Sequence, residues 1–324
     1  MSRSSTKKTI RHILAIDGGG IRGIIPALVL AHLEKLTGKA TSSLFDLIVG
    51  TSTGAIIALG IAKPAEQAPA RAHYTADDLA DLYEKHADDI FYRSTWKSLY
   101  SAGGLADEKY QHDKLEDLLI DYFGNYRLET LLTKVMTPAY DIEYRVPCFI
   151  KSWKARHSRL QLRHVSRAAT AAPTFFEPHQ IKINQKVRTL IDGGIFINNP
   201  AMSAYIEARK IFPDDEIYVV SLGTGNLRNP IAYSDARNWG KVEWSSPIVG
   251  CMSDGLSDTV NHQLLHLLGN NYIRLQANLK EASDKIDQIN SSNIKLLKQA
   301  ASNLIKARAP RLEKLASQLS DSAS

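Results

Sequence analysis

The chain of 324 residues contains two cysteines, Cys148 and Cys251, too few for a disulfide framework or a cysteine-rich zinc site. Long apolar runs are lacking as well. The longest, Ile24–Ala31 and Gly54–Ala62, end within nine residues, whereas a membrane-spanning helix takes about 20. The first twelve residues, MSRSSTKKTIRH, are basic and polar with no apolar stretch behind them, so no signal peptide is read there and a cytoplasmic location is expected. Nor is there an acidic loop of the EF-hand type or an H-E-x-x-H, and no metal or other cofactor is expected. No fixed repeat or low-complexity tract interrupts the chain. What remains, 44% hydrophobic and 23% charged residues, is an ordinary globular composition that excludes disordered and fibrous classes.

Charge is present in excess of one sign: 40 basic against 34 acidic residues, a net +6. The excess is uneven. Lys151, Lys154, Arg156, Arg159, Arg163 and Arg167 follow one another without an acid, and Lys295–Lys314 holds six more against Glu313 alone. Such runs suit anionic lipid head groups or nucleotides, and a merely solvated basic face is the plainer alternative.

Apolar runs at 12–17, 44–49, 134–142, 145–152, 187–192, 216–222 and 272–276 predict strands, the last at a sheet edge. Helical spacing predicts helices over 21–36, 55–62, 113–123, 164–172, 199–212 and 247–268. Thr75 and Asp78 form a candidate capping box that opens a helix to about residue 89, and Gly124 stops the helix over 113–123. Two successive strand–loop–helix units at the start imply a parallel sheet. The expected layout is a basic arm at 1–11 and one large α/β domain over 12–324. Its last part, about 277–320, is expected to be helical with a break at Pro310. Phe91–Asp107, with its aromatics and Gly103-Gly104, reads as a long lid-like loop.

Two glycine motifs carry chemistry. Gly18, Gly20 and Gly23 spell G-x-G-x-x-G between a strand and a helix, as in a dinucleotide site. The second strand, however, ends in Val49-Gly50-Thr51-Ser52 without the acid that would hold a ribose. What is left is a cradle of backbone N–H groups for an anion, which Arg22 could brace. Gly50-Thr51-Ser52-Thr53-Gly54 is a G-x-S-x-G between strand and helix. In such an elbow Ser52 occupies a tight turn, and Gly50 and Gly54 let strand and helix pass closely. A hydroxyl needs a base. The best placed is Asp192, which a strand delivers into the turn Gly193-Gly194. His164, His179 and His262 lie near loops or helix ends, where any could complete a conventional triad.

Together DGGGIRG, GTSTG and DGG resemble the patatin-like phospholipases, and so do PAYDI at 138–142, AATAAPTFF at 168–176, NNP at 198–200, SLGTG at 221–225 and YIRLQ at 272–276. The likeness spans roughly residues 10–280. It implies a three-layer α/β/α fold with a mostly parallel sheet, and a lipid acyl hydrolase that works by a Ser–Asp dyad without a cofactor. It further implies Ser52 as nucleophile, Asp192 as base, and Gly18, Gly19, Gly20 and Arg22 as the oxyanion region. The size and lack of extra domains also resemble bacterial phospholipase effectors of cyclic-oligonucleotide antiphage signalling. That likeness implies a membrane phospholipid substrate at the inner membrane surface, a cyclic dinucleotide or trinucleotide activator held by the Lys151–Arg167 run, and a homo-oligomer. Trp153 or Tyr272 would then stack on a base. No DNA or RNA partner is expected. Two alternatives stay open: a carboxylesterase with the triad Ser52, Asp192, His262, and a nucleotide-binding module without catalysis.

Overall fold

The computed structural model describes residues 9–90, 112–228, 230–245 and 247–322. Short, wholly apolar segments such as LIVG need cover on both faces, and they find it in the middle of an eight-stranded sheet. Its strands are β1 (Ile10–Ile16), β2 (Leu47–Gly50), β3 (Lys134–Asp141), β4 (Val146–Lys151), β5 (His179–Ile183), β6 (Lys186–Asp192), β7 (Glu216–Leu222) and β8 (Tyr272–Leu275). They run in the order β5-β6-β3-β2-β1-β7-β8, with β4 also on β3. From β3 to β8 every pairing is parallel, so the ends of β1, β2 and β7 open on one side. β4, β5 and β6 join antiparallel.

Alternation along the strands sorts side chains onto two faces. Leu14, Ile16, Ile48, Val220 and Leu222 pack under α1 (Ile24–Thr37), α2 (Thr53–Ala62), α3 (Ala76–Lys85) and the C-terminal pair of helices described below. Ile13, Ala15, Leu47, Val49 and Val219 pack on the other side, with a second helix layer of their own. That layer comprises Ala201, Ala204 and Ala208 of α6 (Ala201–Ile211) and Leu264 of α7 (Pro247–Leu268). The result is three layers, α/β/α. Completing them are α4 (His112–Phe123), α5 (Leu162–Ala169), α8 (Ser291–Ala307) and α9 (Ala309–Ser322). The Thr75–Asp78 capping box is present at the start of α3, and Gly124 follows α4 at a φ of +50°. Among the described residues no helix is long and apolar enough to cross a membrane.

Three local expectations change. The sheet starts at Ile10, inside the expected arm, because Arg11 is fixed by Asp46 at 3.0 Å and Asp215 at 2.7 Å. β5 was not expected from its mixed sequence HQIKI; it hangs on β6 through Asn184 and Gln185, both at positive φ. Residues 276–290 are not helical: they cross the strand ends, pairing with Asn226 and Ile21, and helix begins only where the Asn290 side chain caps α8. Phe91–Asp107 lies outside the described residues, as does most of the basic arm.

Candidate active site

Between β2 and α2 the chain turns in so little space that Ser52 adopts φ 53° and ψ −122°, outside the regions comfortable for a side chain. A Cβ on Gly50 would overlap the Gly54 carbonyl, and one on Gly54 would strike the Ile16 carbonyl. Strand and helix can therefore meet at this angle only through glycine. The turn is anchored by Thr51, whose N–H donates to Ile16 O at 3.1 Å and whose hydroxyl donates to Ile197 O at 2.8 Å. Thr53 opens α2, and its hydroxyl donates to Tyr83 Oη at 2.5 Å. Its backbone N–H points out of the helix start without a protein acceptor among the described residues.

The glycine turn after β1 stands beside this elbow. Gly18 donates its N–H to Asn198 O at 3.1 Å, so that amide is spent. Gly19 and Gly20 keep theirs free of protein acceptors among the described residues. Gly20 sits at φ +58° with the Ile286 carbonyl against its α-carbon, which leaves no room for a side chain. Arg22 does not face the cleft. Its Nε donates to Gly19 O at 3.3 Å and its Nη1 to Gly225 O at 3.1 Å, so it braces the turn from behind. Burial pulls the Arg22 pKa down, against the charges of Asp284, Asp17 and Asp254. Two further props come from motifs whose work was not legible in the sequence. Thr224 donates its hydroxyl to Gly18 O at 2.7 Å, and Gln276 accepts from Gly225 N–H at 2.8 Å.

Asp192 arrives from the other direction. β2 pairs with the first half of β3, and β6 pairs beyond it, with Asp192 opposite Ala139. The two glycines after it have distinct uses. Gly193 passes so close to Pro138 that a Cβ would lie 2.6 Å from its carbonyl oxygen, and Gly194 donates its N–H to the Asp192 carboxylate at 2.7 Å. Asp192 is 4% exposed. Burial pushes its carboxyl up to about 6, against the opposing pull of hydrogen bonds from the Ser52 hydroxyl and the Gly194 N–H. Ser52, Asp192 and the free amides of Gly19, Gly20 and Thr53 thus converge from three strand ends.

Ser52, Thr53 and Gly20 form one wall of a narrow cleft. Its other walls are mostly apolar, with Ile56, Ile90, Leu115, Phe175, Phe176 and Ile286 beside Tyr83 and Thr170. Ile286 belongs to the segment expected to be helical, and its part in the site had no signal in the sequence. The lining suits a hydrocarbon chain reaching the hydroxyl better than a nucleotide.

The remaining candidates lie elsewhere. His262 is exposed on α7, its ring 4.6 Å from that of His266, and His164 stacks on His179 at 5.4 Å. Among the described side chains no histidine bonds to Ser52 or Asp192. The six basic residues of the 151–167 run do not form one face. Lys151 pairs with Glu207 at 2.9 Å. Arg167 is buried, with Glu116 at 3.4 Å from its Nε. Arg156 and Arg163 line two different clefts, while Lys154 and Arg159 are exposed. Tyr272 is fully buried in the sheet core, so it has no free face on which a base could stack.

A family model for patatin-like phospholipase matches residues 14–205. Patatin-like protein 2 of Oryza sativa subsp. indica is 31% identical over 357 residues, covering 96% of this chain and 88% of its own. Its namesake in Arabidopsis thaliana is 31% identical over 93% of this chain and 84% of its own. Patatin-03 of Solanum tuberosum is 30% identical over 91% and 83%. Among solved structures, VipD from Legionella pneumophila aligns over 95% of this chain and 72% of its own, with a TM-score of 0.40 and 14% identity.

Proposed function

Because the chain belongs to the patatin-like phospholipase family of lipid acyl hydrolases, we propose that it cleaves fatty-acyl esters of membrane glycerophospholipids, as a phospholipase A, through a Ser52–Asp192 dyad. The observation that carries this reading is Ser52, held in a strained elbow beside the buried Asp192 carboxylate, whose pKa its hydroxyl helps to pull down against burial. Asp192 takes the Ser52 proton as Oγ attacks the ester carbonyl. The oxyanion that forms is met by the amides of Gly19, Gly20 and Thr53, the last being the residue after the nucleophile. Collapse of the tetrahedral intermediate expels the lysolipid alkoxide, which takes the proton back from Asp192 and leaves the acyl chain on Ser52. A water molecule, deprotonated by Asp192, then releases the fatty acid and restores the serine. The apolar cleft beside Ser52 gives the acyl chain its seat.

The triad alternative lacks its third member, since His262 is turned to solvent on α7. Incubation of pure protein with phospholipid vesicles, followed by lipid extraction, tests the proposal: free fatty acid and lysolipid should appear with wild type and with neither Ser52→Ala nor Asp192→Asn. The resemblance to antiphage effectors adds a switch to the proposal, a cyclic dinucleotide or trinucleotide that activates the enzyme at the inner membrane surface. A cyclic-nucleotide panel in the same assay tests it, and activity independent of every member removes it.

A further inference from the structure

Between the end of the glycine-turn props and β8 the chain forms an arm that the site does not use. Among the described residues from Ile231 to Val260 none is buried, and the first buried side chain of α7 is Leu264. The arm is nevertheless rich in apolar and aromatic groups. On α7, Ile248, Val249, Met252 and Leu256 are all exposed, Val249 at 65%. At 100° per residue these four fall within one sector of about 100°. Asp254 and Asp258 lie on the far flank. Before the helix, Tyr233 and Val242 are each 82% exposed, and Trp239 packs edge to face on Trp244 at 5.0 Å.

The placement of this arm is fixed by its acids. Asp258 pairs with Arg228 at 2.8 Å, three residues beyond Gly225, and the charge of Asp254 acts on Arg22, which braces the glycine turn. Leu264 reaches the sheet core, and the helix ends near the start of β8. The first turns of α7 therefore stand at the same end of the sheet as Ser52.

From this placement and composition, and resting on the acyl-hydrolase reading above, we infer that the arm over 231–256 inserts into the surface of a phospholipid bilayer and holds the Ser52 cleft against it. A narrow apolar stripe flanked by Trp, Tyr and Lys is the composition of an interfacial helix. A second copy of the chain fits less well. A stable dimer takes about 20–30 residues from each partner, and the stripe offers four. From Ile231 to Val260 there are two basic residues, Arg237 and Lys241, and four acidic ones, Asp235, Glu243, Asp254 and Asp258. Attachment is therefore by apolar insertion and not by attraction to anionic head groups, and it resists salt.

The test uses the full chain and vesicles of ether-linked phosphatidylcholine and phosphatidylglycerol in equal parts, which carry no ester to cleave. In sedimentation, Met252→Asp combined with Leu256→Asp should weaken binding at least about tenfold, since each loses several buried methylenes and gains a charge. The variant's hydrolysis of soluble p-nitrophenyl butyrate should stay within about twofold of wild type. Wild-type binding should survive molar salt. Equal binding by wild type and variant would overturn the inference, and so would loss of wild-type binding in salt. A dimer that the double substitution turns into a monomer, measured by light scattering, would assign the stripe to a second copy instead. A second measurement needs no charge in the stripe: an environment-sensitive fluorophore on exposed Cys251, in a Cys148→Ser background, should shift its emission to the blue when vesicles are added. An unchanged spectrum would count against insertion. Failure of the wild type to hydrolyse the soluble ester would instead strike the acyl-hydrolase reading and leave the vesicle result standing.

Discussion

Arg274 on the edge strand reaches Asp17 at the end of β1 through two hydrogen bonds, 2.8 Å from Nη1 and 2.5 Å from Nη2. Both groups are almost sealed from water. Burial works against the Arg274 charge, and the attraction and hydrogen bonds of Asp17 more than restore it. Nη1 also donates to Ser221 Oγ at 2.8 Å, so the pair ties β1, β7 and β8 together directly behind the glycine turn. Breaking such a pair leaves a carboxylate buried without compensation. Arg274→Met should lower unfolding stability by about 3–5 kcal/mol in urea titration, and adding Asp17→Asn should recover a substantial part. Purely additive losses in the double variant would contradict this account of the pair.

The acid limb of the activity should belong to Asp192. Its carboxyl titrates at about 6, and only the ionised form can take the Ser52 proton. The kcat for a soluble ester should therefore rise with pH, reach half its plateau near that value, and stay flat above it. A limb near 4, the region of an unperturbed carboxyl, would contradict the buried environment described for Asp192.

The same shift acts on stability. Because the folded-state pKa lies above the unfolded one, the native protein holds this proton more tightly. Stability contributed by the protonated carboxyl is complete below about 4 and is lost as pH rises through about 6. Asp192→Asn has no such charge to bury. Its stability relative to wild type should improve across that window, by an amount on the order of 3 kcal/mol at most. Unfolding curves at several pH values measure it, and a gap that shrinks as pH rises would show the sign to be wrong.

Gly54→Ala should damage both fold and activity, because the new methyl would meet the Ile16 carbonyl behind Ser52. Overpacking of this kind costs about 1–3 kcal/mol. Activity should fall further than stability alone explains, since any relief moves the elbow. Gly124→Ala is the control: its φ of +50° is also unfavourable, yet nothing lies within 4 Å of the added carbon. It should lose some stability and no turnover. Equal turnover in both variants would argue against the elbow geometry.

His164→Ala, His179→Ala and His262→Ala should each leave turnover within about tenfold of wild type, far short of the loss that follows removal of a triad member. A drop of several thousandfold at one of them would replace the dyad with a triad.

Much of this architecture was legible because local signals agreed with the global fold. β7 is apolar except for Glu216 at its start and Ser221 near its end, and its limits match the sequence reading at Glu216 and Leu222. Ser52 and Asp192 could be singled out because glycines flank both, and glycine at such spacing marks places where backbones must approach. The props of the glycine turn could not. Thr224, Gln276 and Arg274 act through long-range contacts, Arg274 on a residue 257 positions earlier, and nothing in their neighbours announces that. Ile286 was hidden for a different reason: its segment contains residues that form helices readily, and tertiary bonds to Asn226 and Ile21 override that preference. The basic run misled in the opposite direction. Charges adjacent in sequence were dispersed by β4, a turn and α5 into an ion pair with Glu207, a buried site beside Glu116 and separate surface positions.

The central claim is that Ser52 is a nucleophile activated by Asp192. Labelling with a fluorophosphonate probe, followed by peptide mass spectrometry, tests it most directly. The account predicts a single phosphonylated peptide carrying Ser52, labelled at least about a hundredfold more slowly in folded Asp192→Asn. Labelling elsewhere, or at an unchanged rate in that variant, would contradict it.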